Sequence, residues 1–138
     1  MRMWMVNPET MCRKHLLGEH VEIHMLAGSI LKGKSIKGFS ELVETHSAHI
    51  RHYYLAEEMV RRGYNHKSPL PDFSMNFGKV NVAKSIMDLH ERCPDCKSMW
   101  WSWFNSLVFE DRVEIDRYMM SKYFQLKEEK NAKHISGF

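Results

Sequence analysis

Arg13-Lys14-His15-Leu16-Leu17-Gly18-Glu19-His20-Val21-Glu22-Ile23 opens a run in which Leu16, Ile23, Ala27 and Ile30 recur at helical spacing and form one apolar stripe. The spacing predicts a helix over residues 13–31, stopped by Gly33. At about 100° per residue, His15 and Glu22 nearly superpose, with Glu22 at the margin of the stripe. A carboxylate so placed stands where a buried face meets a cleft.

Working outward, Lys32, Lys34 and Lys37 lie in a glycine-punctuated loop that reads as a cationic turn. A second helix is expected over about 42–62, with Ala48, His52, Leu55, Ala56 and Met59 on one side. Gly63 stops it, and Arg61 and Arg62 stand where the helix dipole favours positive charge. Residues 65–78, with Pro69, Pro71 and Gly78, read as an irregular connection. A third helix over about 80–92 has Val82, Ile86 and Leu89 on one face and stops near Pro94. After the aromatic cluster from Trp100 to Phe104, a further helix is expected over about 110–130, acidic residues first and lysines last. No alternating pattern is long enough to build a sheet. The expectation is a mostly α protein: a single compact domain over 1–138, with three to four helices, long irregular loops, and the amino terminus packed near the first helix.

With 138 residues and 43% hydrophobic content, the chain suits one core rather than two. Twenty Lys+Arg against 17 Asp+Glu give only +3, so any case for an anionic partner rests on how the charge is distributed. No apolar run approaches a membrane span, and the start does not resemble a secretory signal. A soluble, cytoplasmic protein without a membrane partner is expected. Three cysteines, an odd number, argue against a disulfide framework and for a reducing compartment. Eleven methionines read as core packing rather than a cofactor site.

The start of the chain carries the chemistry. An α-amino group, with a pKa of about 7.7–8.0 against about 10.4 for lysine, is partly unprotonated at neutral pH and suits nucleophilic work. Met1 supplies such an amine, and Glu22 a carboxylate a short helix away. The amino terminus followed by Arg2, the His15-Leu16 pair and Glu22 resemble the pyrimidine-dimer DNA glycosylases of the phage endonuclease V type. So does a second block: Ile50-Arg51-His52 through Glu58-Met59, then Arg61-Arg62-Gly63-Tyr64 and His66-Lys67-Ser68-Pro69-Leu70. The two blocks cover roughly the first half of the chain.

The resemblance implies a DNA-repair enzyme of phage-infected or bacterial cells. It would attack the sugar at a cyclobutane pyrimidine dimer, expel the base, form a Schiff base and nick the strand by β-elimination. Glu22 would stabilise developing charge and shuttle protons. Relatives lose the initiator methionine and expose a threonine. Here Met1 occupies that threonine's position, and Arg2 is too large to favour methionine removal, so a retained Met1 supplies the amine. Arg2 and His15 match residues expected to contact DNA near the lesion. The family's arginine before the glutamate is Val21 here, and the arginine one turn beyond falls at Met25; His20 and His24 are the candidate replacements.

Phosphate neutralisation falls to Lys32, Lys34, Lys37, Arg51, Arg61, Arg62 and Lys67, with His52 beside Arg51. The aromatic cluster, Trp101 in particular, offers either stacking on bases or core packing. By resemblance the duplex would be kinked and a nucleotide extruded. The partner is thus damaged double-stranded DNA, the protein a monomer. No cofactor and no metal are expected, although Cys93-Pro94-Asp95-Cys96 has ligand spacing and Cys12 with a histidine would complete a Cys₃His set. His20/His24 and His46/His49/His52 also have helical ligand spacing, but read as surface, core or phosphate-contacting groups. The alternatives are a glycosylase/lyase for another lesion and a non-catalytic DNA-binding module, with or without zinc.

Overall fold

The computed structural model describes the backbone of residues 1–136 and the surroundings of side chains up to residue 122. Among these residues the regular structure is helical: α1 (Arg13–Leu31), α2 (Ala48–Arg61), α3 (Val82–Arg92), α4 (Pro94–Ser106) and α5 (Phe109–Ser136), with short 3₁₀ turns at Pro8–Thr10, Lys37–Phe39 and Thr45–Ser47. The chain is mostly α, with one helix more than expected.

Leu16, Ile23, Leu26 and Ala27 of α1 are fully buried and pack in one core with Leu55 and Met59 of α2, Leu89 of α3, and Met3, Val6 and Met11 of the leading segment. Helix α1 ends through Gly33 (φ +69°), whose N–H donates to Ile30 O at 3.0 Å, and α2 through Gly63 (φ +86°). Methionine use is split: Met3, Met11 and Met59 are core, while Met25, Met75, Met87 and Met120 are exposed.

Two stretches differ from expectation for physical reasons. Residues 42–47, assigned to the second helix from sequence, form turns. The Leu42 carbonyl accepts the Met3 N–H at 2.7 Å instead of a helical partner, and Thr45 pairs with Phe77, its N–H donating to Phe77 O at 2.9 Å and its hydroxyl accepting the Phe77 N–H at 2.7 Å. Gly78 (φ +80°) lets the 65–80 segment lie against this turn: a Cβ there would stand 2.1 Å from Val43 O. The aromatic cluster, in turn, is helical. Cys93 caps α4 by accepting the Cys96 N–H on its sulfur, Pro94 occupies the first turn and Asp95 adds a favourable charge there. This helix packs on α3 and on the Pro8–Thr10 turn.

Candidate active site

The leading segment is held from both sides. Trp4 N–H donates to Glu19 Oε1 at 3.0 Å. Glu19, whose side chain is 0% exposed, is gripped bidentately by Arg51: Nε to Oε2 at 2.5 Å and Nη2 to Oε1 at 2.9 Å. Arg51 Nη1 also donates to Val6 O at 2.6 Å. Further along, Arg62 donates to Pro8 O at 3.1 Å and Met11 O at 2.7 Å while paired with Glu58. Burial pushes the Glu58 carboxyl up, but the hydrogen bonds of Arg61 and Arg62 outweigh it and leave it below the usual range. Between Trp4 and Val6, Met5 adopts a left-handed conformation (φ 59°), unusual for a non-glycine residue.

This scaffold brings the start of the chain onto α1 beside Glu22. Burial raises the Glu22 carboxyl above its ordinary value. The Met1 ammonium, then the Arg2 backbone N–H, pull it down, the Glu19 carboxylate pushes it up and the Arg2 guanidinium lowers it. Met1 and Glu22 are both half-buried, and the Met1 ammonium is near enough to lower the Glu22 carboxyl. The Arg2 guanidinium pairs with Asp88 of α3 at 2.9 Å and lies over the Trp4 ring, 3.9 Å from its centroid. Its Nε has no hydrogen-bond partner among the described residues.

The cations proposed from sequence for phosphate contact divide sharply. Lys32, Lys34, Lys37, Arg61 and Lys67 are exposed, Arg61 against Glu58. Arg62 is half-buried and engaged as above. Arg51 is buried in the Glu19 pair and has no surface to offer a phosphate. Trp101 is exposed, whereas Trp100 is buried and stacked on Phe104, with centroids 5.0 Å apart and planes 10° from parallel. Val21 and Met25, where the resemblance led to arginines, are each 55% exposed on α1 either side of Glu22.

Histidines read as DNA contacts lie elsewhere. His20 and His52 are buried and meet His24 and His66 in one imidazole cluster, with Nε2 atoms 3.1 Å (His20–His52), 3.2 Å (His24–His52), 2.9 Å (His66–His20) and 3.4 Å (His66–His52) apart. Burial first, then the neighbouring imidazoles, hold His20 down at about 4. His15 turns toward Cys12, 3.2 Å from its sulfur, and toward Cys96 at 3.6 Å. The buried Glu19–Arg51 pair was not found from sequence, although both residues lie within the stretches singled out there, Arg51 as a phosphate contact.

A family model described as pyrimidine dimer DNA glycosylase matches residues 1–72, the half of the chain that contains every contact of the leading segment with α1 and α2. Comparison with curated proteins and with solved structures finds no match.

Proposed function

Because the chain belongs to the pyrimidine dimer DNA glycosylase family, we propose that it cuts the glycosidic bond at cyclobutane pyrimidine dimers through its amino terminus and then nicks the strand. The unprotonated Met1 amine attacks C1′ of the damaged nucleotide. The new N–C1′ bond replaces the glycosidic bond, and the base leaves with the bonding electrons. Protonated Glu22 gives its proton to the ring oxygen as the sugar opens to the Schiff base. As a carboxylate it then takes the C2′ proton, and the 3′ phosphate departs by β-elimination. A carboxyl raised by burial, and within the field of an amine, suits both halves of this cycle.

What supports this reading is that the Met1 ammonium acts on the half-buried Glu22 carboxyl, in a leading segment anchored by Glu19 and Arg51. Duplex DNA, bound by a monomer, would be held by Lys32, Lys34, Lys37, Arg61 and Lys67, with Arg2 nearest the reacting sugar. Borohydride trapping on ultraviolet-irradiated duplex tests the mechanism. A covalent adduct is expected with the native chain, lost when the amino terminus is blocked and sharply reduced in Glu22→Gln. An undiminished adduct in either case refutes it.

One observation favours a second lesion class. Val21 and Met25 present apolar surface beside Glu22, where arginines in the resembling enzymes would meet phosphate. A related glycosylase/lyase that prefers another damaged base would cut an oxidised-purine or abasic duplex faster than a dimer. Salt-sensitive binding with no scission of any of the three would leave a non-catalytic DNA-binding module.

A further inference from the structure

We propose that Cys12, His15, Cys93 and Cys96 bind a zinc ion. Their donor atoms all lie within 4.8 Å of one another. Cys12 Sγ stands 3.8 Å from Cys93 Sγ and 3.2 Å from His15 Nδ1, and Cys96 Sγ is 3.6 Å from the same nitrogen. A tetrahedral zinc with bonds of about 2.3 Å to sulfur and about 2.0–2.1 Å to nitrogen has edges of roughly 3.8 Å between sulfurs and roughly 3.5 Å between sulfur and nitrogen. The Cys12–Cys93 and Cys96–His15 spacings match those edges, the Cys12–His15 spacing of 3.2 Å is shorter, and the remaining donor pairs lie within 4.8 Å. They do not match a disulfide, whose sulfurs lie about 2.05 Å apart. Backbone N–H groups point at the sulfurs, Cys96 N to Cys93 Sγ at 3.4 Å and Cys12 N to Cys96 Sγ at 3.3 Å, as thiolate ligands require. Four protein ligands close the coordination sphere, so this zinc is structural. It ties the start of α1 to the α3–α4 junction, joining residues beyond the family match to the helix that carries Glu22.

The geometry points independently to a second divalent-cation site at His20, His52 and His66. Three Nε2 atoms, from α1, α2 and the 65–80 segment, converge at 3.1 Å (His20–His52), 2.9 Å (His66–His20) and 3.4 Å (His66–His52), and all lie within 4.8 Å of one another; His24 approaches only His52, at 3.2 Å. Tetrahedral zinc held by three imidazoles has nitrogen–nitrogen edges of roughly 3.3–3.4 Å and keeps its fourth position open. Without a cation, some of the converging nitrogens would present lone pair to lone pair or hydrogen to hydrogen, because one ring nitrogen cannot both donate and accept.

Neither site depends on the glycosylase mechanism, and elemental analysis of the full chain purified from zinc-supplied cells tests both. Two zinc ions per chain are expected, falling to one in Cys96→Ser and to one in His52→Ala. Cobalt-loaded native protein and the His52 variant should show an intense near-ultraviolet thiolate-to-cobalt charge-transfer band, absent in Cys96→Ser. Failure to see that band in cobalt-loaded native protein overturns the Cys₃His site, and a metal count unchanged by His52→Ala overturns the histidine site. If Cys96→Ser does not fold, alkylation of the native chain decides for the first site. Thiols protected until a chelator is added support it; thiols freely modified in zinc-loaded protein overturn it.

Discussion

Replacing Arg51 by methionine would leave the Glu19 carboxylate in the core without its partner. Both side chains are almost fully desolvated, 6% and 0% exposed. Breaking one side of a buried ion pair costs about 3–5 kcal/mol, because the remaining charge is neither hydrated nor compensated. At an unfolding entropy of about 2.1 cal/mol/K per residue, or roughly 0.3 kcal/mol/K over the 138 residues, this lowers the thermal midpoint by about 10–17 °C. The double variant Glu19→Met/Arg51→Met should recover part of that loss. It places no lone charge in the core, although Trp4 N–H and Val6 O still lose their partners. Circular dichroism melts of the native chain, both single variants and the double variant give the coupling energy directly. A loss below about 1 kcal/mol for Arg51→Met, or a double variant whose loss equals the sum of the singles, would refute a desolvated pair.

Glu58 gives a pH signature. Its carboxyl is held below the usual range in the fold, so its contribution is complete above the unfolded value of about 4.3 and is lost as pH falls through the lower folded value. Urea midpoints of the native chain should fall more steeply over that acid window than those of Glu58→Gln, and parallel curves would show that the pair contributes nothing. Changing Lys32, Lys34 and Lys37 to alanine should flatten the salt dependence of duplex binding by about 2–3 in the log–log slope if all three meet phosphate; an unchanged slope removes that loop from the DNA face. Trp100→Ala should cost about 3–5 kcal/mol of stability, whereas Trp101→Ala should leave stability within about 0.5 kcal/mol and weaken duplex binding by about 1–3 kcal/mol if it stacks on a base. Fluorescence-detected unfolding and filter binding separate the two, and a Trp101 variant with native affinity ends the stacking role.

Helix α1 was legible because its apolar residues repeat at one period and Gly33 ends the run; its bounds, Arg13–Leu31, are the expected ones. Helix α4 was not, because its cap is a cysteine sulfur rather than the usual oxygen, and its buried residues Cys96, Trp100 and Phe104, four apart, are masked by the apolar Met99, Trp101 and Trp103 between them. The turn at 42–47 depends on the Leu42 carbonyl being claimed by the Met3 N–H and the Thr45 N–H by the Phe77 carbonyl, contacts no local pattern encodes. At the site, Glu22 and Met1 stood out through their spacing. Glu19 and Arg51 did not, because their types equally suit a solvated helix face and a surface phosphate contact. Only tertiary packing distinguishes a buried carboxylate from one three residues further along the same helix. The Cys-x-x-Cys pair was visible, but its partners lie 81 residues away at Cys12 and His15, and sequence alone could not tell which histidine would complete the set.

Helix α1 has one further consequence, for how such a protein can change over generations. Leu16, Ile23, Leu26 and Ala27 are committed to the core, Glu19 to Arg51, His15 to the sulfur cluster, and His20 and His24 to the imidazole cluster, while Glu22 is half-buried under the influence of the Met1 ammonium. Nearly every turn is constrained, and a random change there falls on a position with an existing task. Val21 and Met25 are exposed and flank Glu22. These two positions can therefore change without disturbing the fold beneath them, which leaves the surface beside Glu22 freer to vary over generations than the helix that carries it.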